Sequence, residues 1–137
     1  MQIINYAITR GIAVSNLKLQ KLMYFCPLYW YDRHEERLIE DHPFEAWSFG
    51  PVIREIYVDY CLYGGDRIWE EADTTSELIP ELQRVVDFWL KKRPFELVAH
   101  SHRKGGAWIR AFDPSRKNII RERNLRDESR LDHALCG

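Results

Sequence analysis

The residues of this chain best suited to metal binding or nucleophilic catalysis are scattered histidines and cysteines: Cys26, Cys61, His100, His102 and His133. Their spacing matches none of the usual zinc patterns, in which ligands recur in close pairs. Cys26 and Cys61 lie among aromatic residues with no basic neighbour in sequence to hold a thiolate, so both are predicted to be buried and unreactive. We therefore predict no catalytic residue, no metal ligand and no bound cofactor.

Lys21 is an ionisable residue within an otherwise apolar stretch, NLKLQKLMYF. A buried lysine with an altered pKa is a common feature of active sites. The simpler interpretation is that Lys21 lays its alkyl stem on apolar surface and that its ammonium group reaches an acceptor. We favour this structural role.

The segment HRKGGAW combines His102 with two adjacent glycines and Trp108. Glycines beside basic residues can cradle a phosphate, but Gly105 and Gly106 lack the longer pattern of a phosphate-binding loop. They are better explained as a helix break that lets Trp108 turn inward. His102 is predicted to form a hydrogen bond within the core and to help position Trp108.

The overall charge argues against broad binding to nucleic acid. The formal net charge is −1, whereas such binding needs an excess of Lys and Arg facing the phosphates. Basic residues are nonetheless concentrated between Lys91 and Arg130, which is compatible with a local basic surface. The odd cysteine count, the lack of a signal peptide and the lack of a long apolar run predict a cytoplasmic protein that does not enter a membrane.

The elements that must position these residues are mostly helices. Apolar residues recur at helical spacing in segments separated by Gly or Pro, and Ser15 is placed to cap the second of them. That second helix is apolar on nearly all sides, which predicts a central position, and Pro27 is expected to kink or divide it. The helices are predicted at about residues 3–8, 16–34, 51–63, 78–90, 94–102, 107–112 and 125–135.

The segment RLIEDHPFEAWS is predicted to hold most of the β structure. Two apolar patches flank Asp41-His42-Pro43, which favours a small hairpin or an extended loop, and Asn118-Ile119-Ile120 could add a strand. Gly50 and Pro51 are predicted to begin the next helix, because proline at the first helical position loses no hydrogen bond. The inward stripe of that helix would be Ile53, Ile56, Tyr57 and Tyr60. The expected fold class is mainly α, a single compact helical domain with a minor β-hairpin or small sheet.

Three separated motifs follow one another along the chain: NLKLQKLMYF, FEAWSFGPV and HRKGGAW. In this order they resemble the Panacea antitoxin domain family, which includes SocA-like antitoxins and phage-associated GepA-like proteins. The resemblance covers about residues 3–121. Residues 1–137 are expected to form a single Panacea-like domain that ends in a charged helix or tail over 122–137. The residues that match the family's motifs are Leu19, Gln20, Lys21, Leu22, Tyr24, Ala46, Trp47, Gly50, Pro51, Val52, Tyr57, His102 and Trp108.

The resemblance implies binding rather than catalysis, since the family has no agreed catalytic centre. It implies an antitoxin that neutralises a cognate protein toxin by direct binding. The alternative is a phage or prophage regulator or adaptor that binds a host protein and delivers a partner to a protease. The expected partner is thus a protein toxin, with a protease kept open as a second one. No membrane or nucleic-acid partner and no particular oligomeric state are predicted.

The segment FEAWSFGPVIREIY is also the candidate partner-binding surface. Aromatic side chains and arginine dominate the energetics of protein interfaces, and mixed charges commonly surround them. Trp47 and the Gly50-Pro51 pair are explained first as structural determinants, but one face of the Trp47 ring could stay exposed. The candidate contact residues are Trp47, Phe49, Arg54, Glu55 and Asp59.

Overall fold

The computed structural model describes residues 2–12, 14–39, 43–64, 66, 68 and 77–132. Within these ranges the chain is mainly helical with one small antiparallel sheet, so the predicted fold class is confirmed. The elements in order are α1 (Gln2–Thr9), α2 (Asn16–His34), β1 (Glu45–Trp47), β2 (Gly50–Val52), α3 (Arg54–Asp59), a 3-10 helix (Cys61–Tyr63), α4 (Pro80–Leu90), α5 (Pro94–Ser101), α6 (Ala107–Ala111), α7 (Glu122–Ser129) and a second 3-10 helix (Arg130–Asp132).

Helix α2 is the centre of the fold, as its apolar circumference predicts. It packs against α1, α3, α4, α5, α7 and β2. Ser15 caps its start, since the Ser15 side chain accepts a hydrogen bond from the Lys18 N–H at 3.2 Å. The helix continues through Pro27 as one element and ends at Glu35, which adopts a left-handed conformation with φ 53°. Pro27 therefore does not divide it.

The turn of the hairpin lies further along the chain than residues 41–43, where the sequence analysis placed a turn. Strands β1 and β2 pair antiparallel, with Glu45 opposite Val52, so the turn is formed by Ser48 and Phe49. The predicted turn at residues 41–43 is wrong for this hairpin, and residues 41 and 42 lie outside the described ranges. The predicted extra strand is confirmed as a single antiparallel bridge between Glu45 and Ile119.

The Gly50-Pro51 pair belongs to β2 rather than to a helix start, which corrects the prediction of a helix from residue 51. The Lys21 ammonium group binds the Pro51 carbonyl oxygen and holds the backbone extended there. Ile53 is also extended, and its N–H donates to Gln20 Oε1 at 3.0 Å. Helix α3 begins only after that bond, because Ile53 serves as its N-cap residue.

The predicted inward stripe of α3 is only partly correct. Ile53, which precedes the helix, is fully buried, and Ile56 and Tyr60 are half-buried. Tyr57 is 36% exposed, because its ring packs on Trp47 at the surface instead of entering the core. Helix α3 has no fully buried residue, so it lies at the edge of the domain.

The remaining helices follow the predicted pattern closely. Helices α4 and α5 both begin at a proline, and α6 follows the Gly105-Gly106 break. Helix α7 begins three residues earlier than predicted, at Glu122, and residues 133–137 lie outside the described ranges. Among the residues that the structure describes, no helix has the length and apolarity to cross a membrane.

Candidate functional site

The polar residues of the first family motif connect α2 to the hairpin segment. Gln20 is buried, and its amide Nε2 donates to Asn16 Oδ1 at 3.1 Å while its Oε1 receives the Ile53 N–H. Asn16 in turn donates to the carbonyl oxygen of Tyr57 at 3.0 Å. These bonds satisfy buried polar groups on both sides and fix the chain between β2 and α3 against the central helix.

Lys21 is completely buried in the described structure, and its Nζ donates to the Pro51 carbonyl oxygen at 3.0 Å. Gly50 makes this approach possible, because a Cβ on Gly50 would lie 2.6 Å from Ser101 Oγ and 2.7 Å from Lys21 Cε. Burial lowers the pKa of Lys21 to about 7. The predicted contact of the ammonium group with an acceptor is confirmed, and the acceptor is part of the backbone of the second motif.

Replacing Lys21 with methionine is expected to remove a pH dependence of stability. The pKa of Lys21 falls from its ordinary 10.5 to about 7 on folding, so between these values the unfolded chain binds one more proton. The wild-type free energy of unfolding should therefore rise with pH in that window, by about 1 kcal/mol per pH unit relative to Lys21→Met. Below about pH 7, the difference in free energy of unfolding between the wild type and Lys21→Met should become independent of pH.

Urea unfolding at a series of pH values between neutral and mildly alkaline measures this effect. The exposed Lys91 provides a matched control, since Lys91→Met removes a lysine whose side chain stays in water. Its pH profile should run parallel to that of the wild type. A Lys21→Met profile that also runs parallel would contradict the assignment of the pH dependence to Lys21.

His102 and Trp108, the residues of the third motif, form a stacked pair. Their rings lie 3.6 Å apart between centroids with an angle of 7° between planes. Trp108 donates from its indole Nε1 to the Trp47 carbonyl oxygen at 2.7 Å and stacks on Phe112 on the other side. His102 thus contacts Trp108 by stacking, and its role in positioning Trp108 stays a prediction. Among the described residues, no hydrogen-bond partner faces the buried His102 Nε2, so that atom does not make the predicted hydrogen bond there. Burial lowers the pKa of His102, and the charge of Lys21 lowers it further.

Glu128 is a buried carboxylate that the sequence analysis did not single out. Its Oε1 accepts hydrogen bonds from the Tyr24 hydroxyl group and from the Ala107 N–H at 2.9 Å, and its Oε2 accepts from Arg103 Nε at 2.9 Å. It thereby joins α2, α6 and α7 at a single fully buried group. Its only sequence signal is its spacing of three residues from the buried Leu125, which any helical glutamate could share.

Trp47 lies at the surface of the hairpin, and two cations lie close to its ring. Arg54 Cζ is 5.5 Å and Lys117 Nζ is 5.2 Å from the centroid of the Trp47 ring system. Glu45 accepts the Trp47 indole N–H at 3.0 Å and binds Arg54 through two hydrogen bonds of 2.9 and 3.0 Å. These bonds, that of Arg54 first, hold the pKa of Glu45 below its usual value. Tyr57 packs edge-on against Trp47 at 4.8 Å.

A groove of about 500 Å³ opens beside Trp47 and is lined by Phe49, Tyr57, Phe112 and Lys117 among others. Phe49 lies at the hairpin turn with 59% of its surface exposed. We call Trp47, Phe49, Arg54, Tyr57 and Lys117 the Trp47 surface. Of the five candidate contact residues, the structure brings Trp47, Phe49 and Arg54 together here. Arg54 packs on Trp47 without lining the groove, and Glu55 and Asp59, which are exposed on α3, do not line it either.

The histidines and cysteines form no metal-binding cluster in the part of the chain that the structure describes. Cys26 is buried in α2, as predicted, whereas Cys61 is exposed, which corrects the expectation that it is buried. His100 packs on Phe25 and Trp89, with 5.4 and 4.7 Å between ring centroids. Within the described ranges, no three His, Cys, Asp or Glu residues are arranged to hold a metal ion. His133 lies outside these ranges.

The fold and the site define a class of small helical domain in which one buried helix holds an aromatic hairpin at the surface. The family described as "Antitoxin SocA-like, Panacea domain" matches residues 19–109, which include the second and third motifs and the first motif from Leu19 onward. The chain belongs to this family, and the resemblance seen in the sequence is confirmed. Family membership supports an antitoxin role.

One curated relative is Antitoxin SocA from Caulobacter vibrioides (strain NA1000 / CB15N). It is 32% identical to this chain over 121 residues, which cover 77% of this chain and 64% of SocA. The chain thus aligns with less than two thirds of the length of that relative. No solved structure matches this chain significantly.

Proposed function

We propose that this protein neutralises a cognate protein toxin by binding it directly, and that the Trp47 surface is part of the contact. The observation that carries the proposal is a division within the family's second motif. Ala46, Gly50, Pro51 and Val52 are buried and build the hairpin, whereas the hairpin turn presents Phe49 to solvent. Nothing in the hairpin's own packing requires an exposed phenylalanine at this position, so a partner is the natural explanation.

The composition of the Trp47 surface also suits a protein partner. Tryptophan, tyrosine and arginine are the residues that most often dominate interface energetics. Arg54 and Glu45 are bound to each other and pack with Trp47, so they are ordered before any partner arrives. A preorganised aromatic surface loses little conformational entropy on binding.

The arrangement of ionisable groups supports binding rather than catalysis. Lys21 and Glu128 are fully buried and bonded to groups of the fold, so neither can reach a substrate in this conformation. At the Trp47 surface, Arg54 is engaged in an ion pair with Glu45, and Lys117 makes a cation–π contact with Trp47. Inhibition of the toxin would then follow from covering its active site or substrate groove.

Co-expression with the protein encoded by the adjacent gene tests this function. Growth should be arrested by that protein alone and restored by both together, and the two should co-purify. The experiment should be repeated in a host that lacks its ATP-dependent proteases, where rescue by direct binding should persist. Rescue that is lost in that host, or rescue without a complex, would contradict neutralisation by direct binding.

Phe49→Ser is expected to weaken toxin binding without weakening the fold. The Phe49 side chain is largely exposed, so its removal should change the free energy of unfolding by about 0.5 kcal/mol or less. As an interface anchor it should contribute about 2 kcal/mol, or roughly a thirtyfold loss of affinity. Phe95→Ser on α5 is the matched control, since Phe95 is 71% exposed and lies outside the groove. Binding kinetics of the three proteins decide the matter: equal affinities for all would place the contact elsewhere.

A further inference from the structure

Residues 117–121 form the outer edge of the sheet. The Ala46 N–H donates to the Asn118 carbonyl oxygen, and the Ile120 N–H donates to the Phe44 carbonyl oxygen, both at 2.8 Å. The backbone order across the sheet is therefore β2, β1 and then the segment around Ile119. Arg121, which follows the paired residues, is also extended, with φ −73° and ψ 139°.

The backbone groups of Ile119 point away from the sheet. In an antiparallel ladder, the residue between two bonded neighbours directs its own N–H and C=O to the opposite edge. Within the described residues, neither group of Ile119 makes a hydrogen bond, and the Ile119 side chain is 60% exposed. An open edge of this kind can pair with a strand from another chain.

The space beside this edge is strongly basic. A groove of about 410 Å³ is lined by Asn118, Ile119 and Arg121 on the sheet side and by Arg110 and Arg123 on the helix side. Arg110 contacts Asp127 at 3.4 Å, whereas Arg121 and Arg123 have no carboxylate partner among the described residues. The nearby acid Glu122 is already engaged by Tyr31, Arg37 and Arg126.

We propose that this edge binds an acidic, extended segment of the partner protein as an additional β-strand. The backbone of that segment would pair with Ile119, and its carboxylates would meet Arg121 and Arg123. The proposal rests on the proposed function in that the toxin would supply the segment. Lys117 lies over the Trp47 ring and is two residues from Ile119 in sequence. The basic groove beside Ile119 and the Trp47 surface can therefore contact the same partner.

Two other occupants fit the same edge less well. A second copy of this chain would bring an identical row of cations against Arg121 and Arg123, and like charges opposite each other destabilise strand pairing. A nucleic acid would satisfy the arginines but lacks a peptide backbone to pair with Ile119, and the chain carries no excess of positive charge.

A synthetic nine-residue peptide of alternating glutamate and valine provides the probe, with calorimetry at low salt as the measurement. Three comparison ligands separate the occupants: the same peptide with alternate backbone nitrogens methylated, oligoglutamate of equal charge, and oligothymidylate. We expect the alternating peptide to bind about tenfold or more tightly than each of the three, because it alone combines carboxylates, free backbone N–H groups and valines that favour an extended chain. Lack of binding at millimolar peptide, equal binding of the methylated peptide, or tighter binding of the oligonucleotide would each overturn the proposal.

Two variants locate the binding edge. Ile119→Pro removes one outward N–H that the fold does not use, and Arg121→Glu/Arg123→Glu reverses the charge, so each should weaken peptide binding about tenfold or more. Lys91→Glu, a charge reversal at the exposed end of α4, should leave it unchanged. If both edge variants bind as the wild type does, the edge is not the site. The peptide assay does not involve the toxin, so a negative result would contradict only the proposed edge site and not toxin neutralisation. Failure of growth rescue in the co-expression experiment would contradict the antitoxin function itself.

Discussion

Replacing Glu128 with glutamine is expected to destabilise the fold by about 3 kcal/mol or more, because the change breaks a buried charged network. The wild-type carboxylate accepts hydrogen bonds from Tyr24, Arg103 and Ala107 and offers no donor in return. A glutamine amide would direct its NH₂ group at one of these donors. The ion pair of Glu128 with Arg103, whose side chain is only 17% exposed, would also be lost.

Urea unfolding of the Glu128→Gln protein measures this loss. Glu122→Gln on the same helix is the matched control, since Glu122 also pairs with a tyrosine and with arginines but has 43% of its side chain exposed. The control should lose about 1 kcal/mol at most. Equal losses from the two substitutions would show that the buried network does not carry the expected share of stability.

The second large effect is expected at Gly50: the Gly50→Ala substitution should lower the free energy of unfolding by about 3 kcal/mol. Gly50 has φ +113°, a conformation that L-residues rarely adopt. An added Cβ would also come within 2.7 Å of Lys21 Cε and 2.6 Å of Ser101 Oγ, both of which are buried. The substitution therefore combines backbone strain with crowding in the centre of the domain, and Gly50→Val should cost still more.

Gly11→Ala measures the cost of a positive φ without crowding. Gly11 also has a positive φ, +69°, but a Cβ there would meet no atom within 4 Å. Its loss of about 1–2 kcal/mol should report backbone strain alone. The additional loss at Gly50, read from the same thermal or urea unfolding curves, then reports crowding against Lys21 and Ser101 together with the greater backbone strain at φ +113°. If the losses at Gly11 and Gly50 are the same, the close approach at Gly50 does not constrain the fold.

Local sequence patterns were sufficient to predict most of the helices. The Ser15 cap, the proline at the start of α5 and the glycine break before α6 are decided by residues within a few positions of each other. The apolar circumference of α2 likewise predicted its central place. Such features depend on backbone geometry and hydrophobic periodicity, which can be read from the chain alone.

Gly50-Pro51 could not be assigned correctly from local pattern, because the pair is equally typical of a helix start. Its strand conformation depends on two residues of α2 that are distant in sequence. Lys21 binds the Pro51 carbonyl oxygen from 30 residues away, and Gln20 binds the Ile53 N–H from 33 residues away. Glu128 was missed for the same reason: its partner Tyr24 is 104 residues distant in sequence. Contacts between distant residues decide both positions.

The candidate contact surface was predicted in part. Trp47, Phe49 and Arg54 could be proposed because aromatic residues and arginine flank a rigid turn. Lys117 could not, since it reaches the Trp47 ring only after the segment at Ile119 pairs with β1. The basic edge beside it was visible only as a concentration of Arg and Lys in the second half of the chain. Its open backbone groups become evident from the hydrogen-bond pattern of the sheet.

Titration of the purified toxin with this protein tests neutralisation by binding most directly. The toxin's activity should fall in proportion to the antitoxin added and should reach zero at a fixed molar ratio. The mass of the toxin should be unchanged, and its activity should return when the complex is dissociated and the two proteins are separated. Complete loss of toxin activity at a small fraction of that ratio, or a covalent change in the toxin's mass, would contradict a binding mechanism and indicate an enzyme.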